Sequence, residues 1–174
     1  MKDHFRTKRL AKLSSLNKIN ENLPHGGCYQ LFLKIKGKLD LRVGALGELS
    51  FPAGVYIYTG SHQKNVLKRV NRHLNLSKKV FWHIDYLTIN PACEFIEVIF
   101  YFSENQECHL HQRYRDFTQA EVLFPGFGST DCKNSCGSHL LFLKSERRLN
   151  LSAWKKFHRV GKNRSDFLAA FTDQ

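Results

Sequence analysis

Residues 51–61 read Phe51-Pro52-Ala53-Gly54-Val55-Tyr56-Ile57-Tyr58-Thr59-Gly60-Ser61. Pro52 and Gly54 interrupt the chain. The run from Val55 to Thr59 is β-rich, with Val55, Ile57 and Thr59 on one face. Past Gly60 the period changes from 2 to 3.6. Between Lys64 and Leu76, Val66, Leu67, Val70 and Leu74 form one stripe, which predicts a helix. Ser61 is placed to cap it. Arg69 and His73 are four residues apart at the edge of the stripe, and Arg72 lies further round. A strand thus delivers a tyrosine to a helix that carries a guanidinium and an imidazole.

The pattern upstream is similar. Pro24-His25-Gly26-Gly27 breaks the chain, and then Tyr29, Leu31, Leu33 and Ile35 alternate with Gln30 and Lys34. That alternation predicts a half-buried strand over residues 28–36. Gly37-Lys38 turns it into Leu39–Val43, and Gly44 and Gly47 punctuate a further β segment. Downstream, a short helix is expected over Trp82–Ile89, ended by Asn90-Pro91. A strand follows over Glu94–Phe102, then a helix over Asn105–Phe117 with Leu110, Tyr114 and Phe117 inward and Glu107 and His111 flanking them. Pro125–Asp131 is a glycine-rich loop, Ser138–Lys144 a last strand, and Trp154–Phe171 a basic helix. The order indicates an α+β domain with a small, mainly antiparallel sheet flanked by helices. Its expected limits are 25–145, between a basic N-terminal extension (1–24) and a basic C-terminal helical extension (146–174).

The 174 residues carry 27 Lys+Arg against 15 Asp+Glu, a net charge of +12. This excess favours a polyanionic partner, nucleic acid before an anionic membrane surface. No apolar run reaches the roughly 18 residues of a membrane span. Five cysteines without a secretory h-region argue for a reducing compartment and against a disulfide framework.

Hydrolysis of a phosphodiester needs cationic groups for the charge that builds on the phosphoryl oxygens, and a group that orients water. The planar fork of arginine matches phosphate. A carboxylate suits Mg²⁺, which takes one or two protein ligands and keeps its waters. Tyrosine and histidine position or deprotonate the nucleophile. Arg69, Glu107, Tyr29, Tyr58 and His73 supply all of these types. Singly, each has an ordinary explanation: strand tyrosines, solvated helix charges, a helix-edge histidine.

Gly27-Cys28-Tyr29 and Tyr58-Thr59-Gly60, with Arg69 nine residues after the second glycine, resemble the paired motifs of the GIY-YIG nuclease superfamily. A closer resemblance, to a little-characterised GIY-YIG-related subfamily, rests on residues 51–61, Arg69, Arg72-His73-Leu74, Trp82-His83-Ile84-Asp85-Tyr86-Leu87, Pro125-Gly126-Phe127-Gly128-Ser129-Thr130-Asp131-Cys132 and Ser138-His139-Leu140. It covers about residues 27–143, and five ordered blocks are far more specific than one tyrosine-glycine pair.

The resemblance implies a three-stranded antiparallel sheet flanked by helices and Mg²⁺- or Mn²⁺-dependent hydrolysis of DNA, in the manner of a repair endonuclease of the cytoplasm or nucleoid. By motif, Tyr29 and Tyr58 would place or activate water. Arg69 would hold the scissile phosphate, Glu107 would bind the metal, and His73 would act as a base or phosphate ligand. Gly60, Lys64, Lys68 and Arg72 are the expected nucleic-acid contacts. Cys28 and Thr59 stand where the superfamily has isoleucine. The extra β segment between the tyrosine motifs leaves Tyr56 as an alternative to Tyr58. Glu97 and Glu104 are alternatives to Glu107. A non-catalytic nucleic-acid-binding module on the same fold is the rival reading.

Two further sets stand out. Cys132, Cys136 and His139 have metal-like spacing, with His83 as the candidate fourth ligand of a zinc-stabilised domain. The ordinary alternative is a loop with reduced cysteines. His83 and Asp85, beside Trp82, are expected either to orient a catalytic group or to cap and pack their helix. Gly126 and Gly128 permit close backbone approach, and Asp131 is a further candidate for the site.

Overall fold

The computed structural model describes residues 26–102, 107–132, 134, 136–146, 149, 151 and 152. The basic segment 1–24, the helix expected over Trp154–Phe171 and the alternative carboxylate Glu104 lie outside them. The fold is α+β. Strands β1 (Gly27–Ile35), β4 (Gly54–His62), β5 (Cys93–Phe102) and β6 (Leu140–Leu143) form one antiparallel sheet in the order β5-β1-β4-β6. The sheet therefore has four strands rather than three. The extra segment makes its own two-stranded sheet from β2 (Leu39–Arg42) and β3 (Glu48–Phe51), joined by a 3-10 turn at Gly44–Leu46.

Helices α1 (Val66–Leu74) and α2 (His83–Thr88) cover one face of the sheet, and α3 (Glu107–Thr118) covers the other. On the first face Tyr29, Leu31, Leu33, Tyr56 and Tyr58 pack with Val66, Val70, Leu74, Ile84 and Leu87. On the second, Cys28, Phe32, Val55, Ile57 and Tyr101 pack with Leu110 and Tyr114 of α3.

Strand β1 corrects its half-buried reading. It lies between two strands with helices on both faces, so its whole length is buried apart from a partly exposed Lys34. Gln30 is tolerated inside because its amide is satisfied. It accepts from Tyr101 Oη (2.6 Å) and donates to Thr59 Oγ1 (3.4 Å). The expected cap is also corrected. Ser61 still belongs to β4, and Asn65 caps α1, its side chain accepting from the Lys68 N–H at 2.8 Å. Among the described residues no helix is long and apolar enough to cross a membrane.

Candidate active site

Three elements converge where β1 begins and β4 ends. In the β1–β4 register Tyr29 stands opposite Gly60, and Leu31 opposite Tyr58. Gly60 presents no side chain, so the Tyr29 ring lies across its backbone. A Cβ on Gly60 would sit 2.4 Å from Tyr29 Cζ and Oη. The two tyrosine rings are 6.3 Å apart. Both line an open cleft of about 410 Å³, together with Arg69, Glu107 and Asp131. Tyr56 points elsewhere in the core. Its hydroxyl donates to Pro52 O at 2.7 Å and it is not part of the cleft wall, so Tyr58 is the tyrosine that shares the cleft with Tyr29.

Behind Tyr29 runs a buried polar chain. Tyr29 Oη is 2.8 Å from His73 Nε2, and His73 Nδ1 is 3.1 Å from Asp85 Oδ1. Asp85 is fully buried yet thoroughly satisfied. It accepts from Arg72 Nη1 through both oxygens (3.0 and 2.8 Å) and from the N–H groups of Phe81 and Trp82 (each 3.0 Å). Burial alone would raise its pKa. The hydrogen bonds from His73, Trp82, Arg72 and Phe81 outweigh it and hold the carboxyl well below the ordinary carboxylate range. Burial keeps His73 below its ordinary 6.5 despite the neighbouring Asp85, so the ring is neutral at pH 7. A carboxylate only accepts, so Nδ1 carries the ring hydrogen. Nε2 is then the acceptor, and Tyr29 donates to it. Burial also raises the pKa of both Tyr29 and Tyr58, so both are protonated phenols.

These positions revise several expected roles. His73 is wholly buried behind Tyr29 and does not reach the cleft wall, which leaves it no direct contact with phosphate. Arg72 is committed to Asp85 and, through Nη2, to Lys79 O (2.8 Å), so it holds the core rather than facing a nucleic acid. Gly60 serves the packing of Tyr29. Lys64 and Lys68 are exposed. Asp85 both caps α2 and orients His73, which joins the two alternatives for that motif. His83 takes no part in the chain. It lines the cleft, and its Nδ1 accepts the Gly128 N–H at 3.0 Å. This bond seats the glycine loop against Tyr58: Gly128 has φ +71°, and a Cβ there would come 2.7 Å from Tyr58 Cε2.

Glu107 opens α3 on the far face of the sheet, yet it reaches the cleft from the helix N-terminus. Its Oε2 accepts from Ser61 Oγ at 2.6 Å, and its Oε1 lies 2.8 Å from His139 Nδ1, close but poorly aligned for a hydrogen bond. Glu97, by contrast, bonds its neighbour's backbone, Val98 N–H, on β5. Glu107 is therefore the glutamate of the cleft. Arg69 lies over the Trp82 ring, 4.3 Å from its centroid, and the exposed Phe81 and Trp82 form an aromatic rim.

Sequence reasoning missed Ser61 as the partner of Glu107, the aromatic rim, and Cys108. The sulfurs of Cys108, Cys132 and Cys136 gather with His139, whereas His83, the expected fourth ligand, is held by Gly128. The signal was present: Cys108 directly follows Glu107 on the helix expected to carry the site.

Neither the curated proteins nor the solved structures give a match. A family model, described as a domain of unknown function, DUF123, matches residues 28–162 and so spans every residue of the cleft named above. The chain belongs to the DUF123 family.

Proposed function

We propose that this protein is a metal-dependent endonuclease that hydrolyses DNA phosphodiester bonds through the cleft between Tyr29, Tyr58, Arg69 and Glu107. The observation that carries the reading is the Tyr29–His73–Asp85 chain opening onto a cleft that also holds a cation and a carboxylate. Such a chain has no need to end at a buried phenol in the wall of a cleft unless that phenol handles a proton. The likeness of the tyrosine motifs to the GIY-YIG superfamily supports the same reading, as does the +12 charge.

In this account Tyr29 accepts a proton from the attacking water as it passes its own to His73 Nε2. The imidazolium so formed is stabilised by Asp85. The water oxygen bonds to phosphorus, and the bond to the leaving oxygen breaks; the leaving oxygen takes its proton from a solvent water in the open cleft. Arg69 carries charge on the non-bridging oxygens. The Tyr58 hydroxyl has no hydrogen-bonding partner among the described residues and donates to the same group.

The donors facing the cleft are hard oxygens, from Glu107 with Asp131 nearby, and they fit Mg²⁺ or Mn²⁺. When bound, the cation supplies charge neutralisation at the phosphoryl group. Lys64 and Lys68 extend the cationic surface along the backbone, and Phe81 and Trp82 offer faces on which a base can stack. Cleavage of labelled linear, branched and single-stranded DNA in Mg²⁺, Mn²⁺ or EDTA tests this function. Divalent-dependent cutting lost in Arg69→Ala and Glu107→Gln supports it. Binding without cutting on every substrate refutes it in favour of a non-catalytic module.

A further inference from the structure

The cysteines Cys108, Cys132 and Cys136 come from α3 and from the loop that leads into β6, and their sulfurs meet as a triangle. The Sγ separations are 3.1 Å (Cys108–Cys132), 2.9 Å (Cys132–Cys136) and 2.9 Å (Cys136–Cys108). His139 Nε2 points into the same group, 2.9 Å from Cys136 Sγ and 3.5 Å from Cys108 Sγ. All four donor atoms lie within 4.8 Å of one another. A disulfide would use two of the sulfurs and leave the third and the imidazole without purpose. Convergence of all four needs a single centre.

We propose that Cys108, Cys132, Cys136 and His139 hold one structural Zn²⁺ ion. Three thiolates and an imidazole are a soft, closed, four-ligand set, the kind that selects zinc and leaves no open position for catalysis. Zn–S bonds of about 2.3 Å in a tetrahedron put sulfurs about 3.8 Å apart, so the triangle opens by less than about 1 Å around the ion. The two remaining cysteines, Cys28 and Cys93, are buried in strands and belong to no such group among the described residues.

The ion has a second effect. His139 turns Nε2 toward the sulfurs and Nδ1 toward Glu107 Oε1. A metal on Nε2 leaves the ring hydrogen on Nδ1, 2.8 Å from the carboxylate, where a small turn of the ring would align it to donate. This is the carboxylate–histidine–metal arrangement that fixes a ligand ring and its partner together. Zinc thus ties α3 to the glycine loop and aims Glu107 into the cleft. That positioning role rests on the nuclease reading, whereas the metal site does not.

The test is metal analysis of the whole protein, purified in reductant without added metal, followed by Co²⁺ exchange. One zinc per chain, with thiolate-to-cobalt charge transfer and the intense visible bands of tetrahedral Co²⁺ after exchange, is the expected result. Cys132→Ser and Cys136→Ser should each lose the stoichiometric ion. Loss of fold in those variants is bypassed by titrating chelator-stripped wild type with Zn²⁺ and counting the thiols that become protected. Zinc far below one per chain, with no uptake on titration, would overturn the site.

Two variants separate the site from its effect on Glu107. His139→Cys keeps four zinc ligands but removes the link to the carboxylate. It should hold one zinc per chain while cleavage falls at least tenfold. Glu107→Gln should keep its zinc. Stoichiometric zinc in a protein that cuts no DNA supports the metal site and contradicts the nuclease reading.

Discussion

The Tyr29 hydroxyl sits 2.8 Å from His73 Nε2, with the opposite ring nitrogen on Asp85. In the proposed mechanism this contact sets the direction of proton flow, with His73 as the acceptor and Tyr29 as the relay from the attacking water. The phenol need not ionise in the resting protein, where burial disfavours the phenolate. It needs only to lose its proton as it gains another.

Tyr29→Phe should therefore abolish more than its hydroxyl contact with water. It also cuts His73 off from the cleft. The expected loss in kcat is on the order of 10²–10⁴-fold. His73→Gln should show a loss of similar size, although His73 never touches the substrate. Single-turnover cleavage beside DNA affinity measures this. A His73 variant with unchanged rate would show that the chain is only packing.

Gly60→Ala tests the close approach of β4 to Tyr29. The added Cβ falls 2.4 Å from the ring's far end, and the ring is pinned by His73 and the core. Overpacking of this kind costs about 1–3 kcal/mol. Thermal unfolding should show that loss, and cleavage should fall by more than the fraction unfolded because Tyr29 is displaced. A fully stable, fully active variant would contradict the packing described for Tyr29.

Arg72 and the two exposed lysines should separate cleanly. Arg72→Ala strips a buried carboxylate of its bidentate partner. Because the Arg72 side chain is itself 33% exposed, the stability loss should be about 1–3 kcal/mol rather than the larger cost of a fully buried pair. Lys64→Ala and Lys68→Ala should leave thermal stability unchanged and weaken DNA binding. Each removes about one unit from the salt dependence of the affinity. A reversal of these two patterns would return Arg72 to the nucleic-acid surface.

Acid should act on rate and on stability for related reasons. His73 must be neutral to accept a proton, and its pKa is held below 6.5. Activity should therefore persist as the pH drops through 6.5 and fall only further into acid. The stability curve follows from proton counting. Below about 6.5 the unfolded chain binds a proton at this histidine that the folded chain refuses, so stability declines with falling pH. Asp85 has a depressed folded pKa, so its contribution is complete above the ordinary carboxylate value of 3.8 and is lost as pH falls further. Denaturant midpoints from pH 7 to pH 2 should decrease, and Asp85→Asn should change the curve chiefly below about pH 4. Stability that rises on acidification would contradict the buried, neutral assignment of His73.

Much of this arrangement was legible along the chain because it is local. The switch from period 2 at Val55–Thr59 to period 3.6 at Val66–Leu74 located both the strand and the helix of the site. The spacing of Arg69 and His73 put them on one side of that helix. What was not legible depends on distant pairing. Alternation marked Tyr29, Leu31, Leu33 and Ile35 as one buried face, but it did not show that β1 is a central strand with Cys28 and Phe32 buried behind. The partners of Asp85 come from α1, from Lys78 and from the residues just ahead of its own helix, so Arg72 looked like a surface charge until the fold closed on it. Cys108 lies 24 residues before Cys132, and only the approach of α3 to the glycine loop makes them neighbours. Which glutamate faces the cleft also depends on distant packing: Glu97 lies within β5 and bonds the Val98 N–H, whereas Glu107 at the start of α3 meets Ser61 of β4 and the cleft.

The most direct measurement is metal-dependent cleavage of a DNA panel by wild type, Glu107→Gln and Tyr29→Phe, with binding followed in parallel. The account requires wild type to cut in Mg²⁺ or Mn²⁺ and not in EDTA, with both variants binding DNA but failing to cut. Cleavage that survives both substitutions, or binding by a wild type that never cuts, would contradict it.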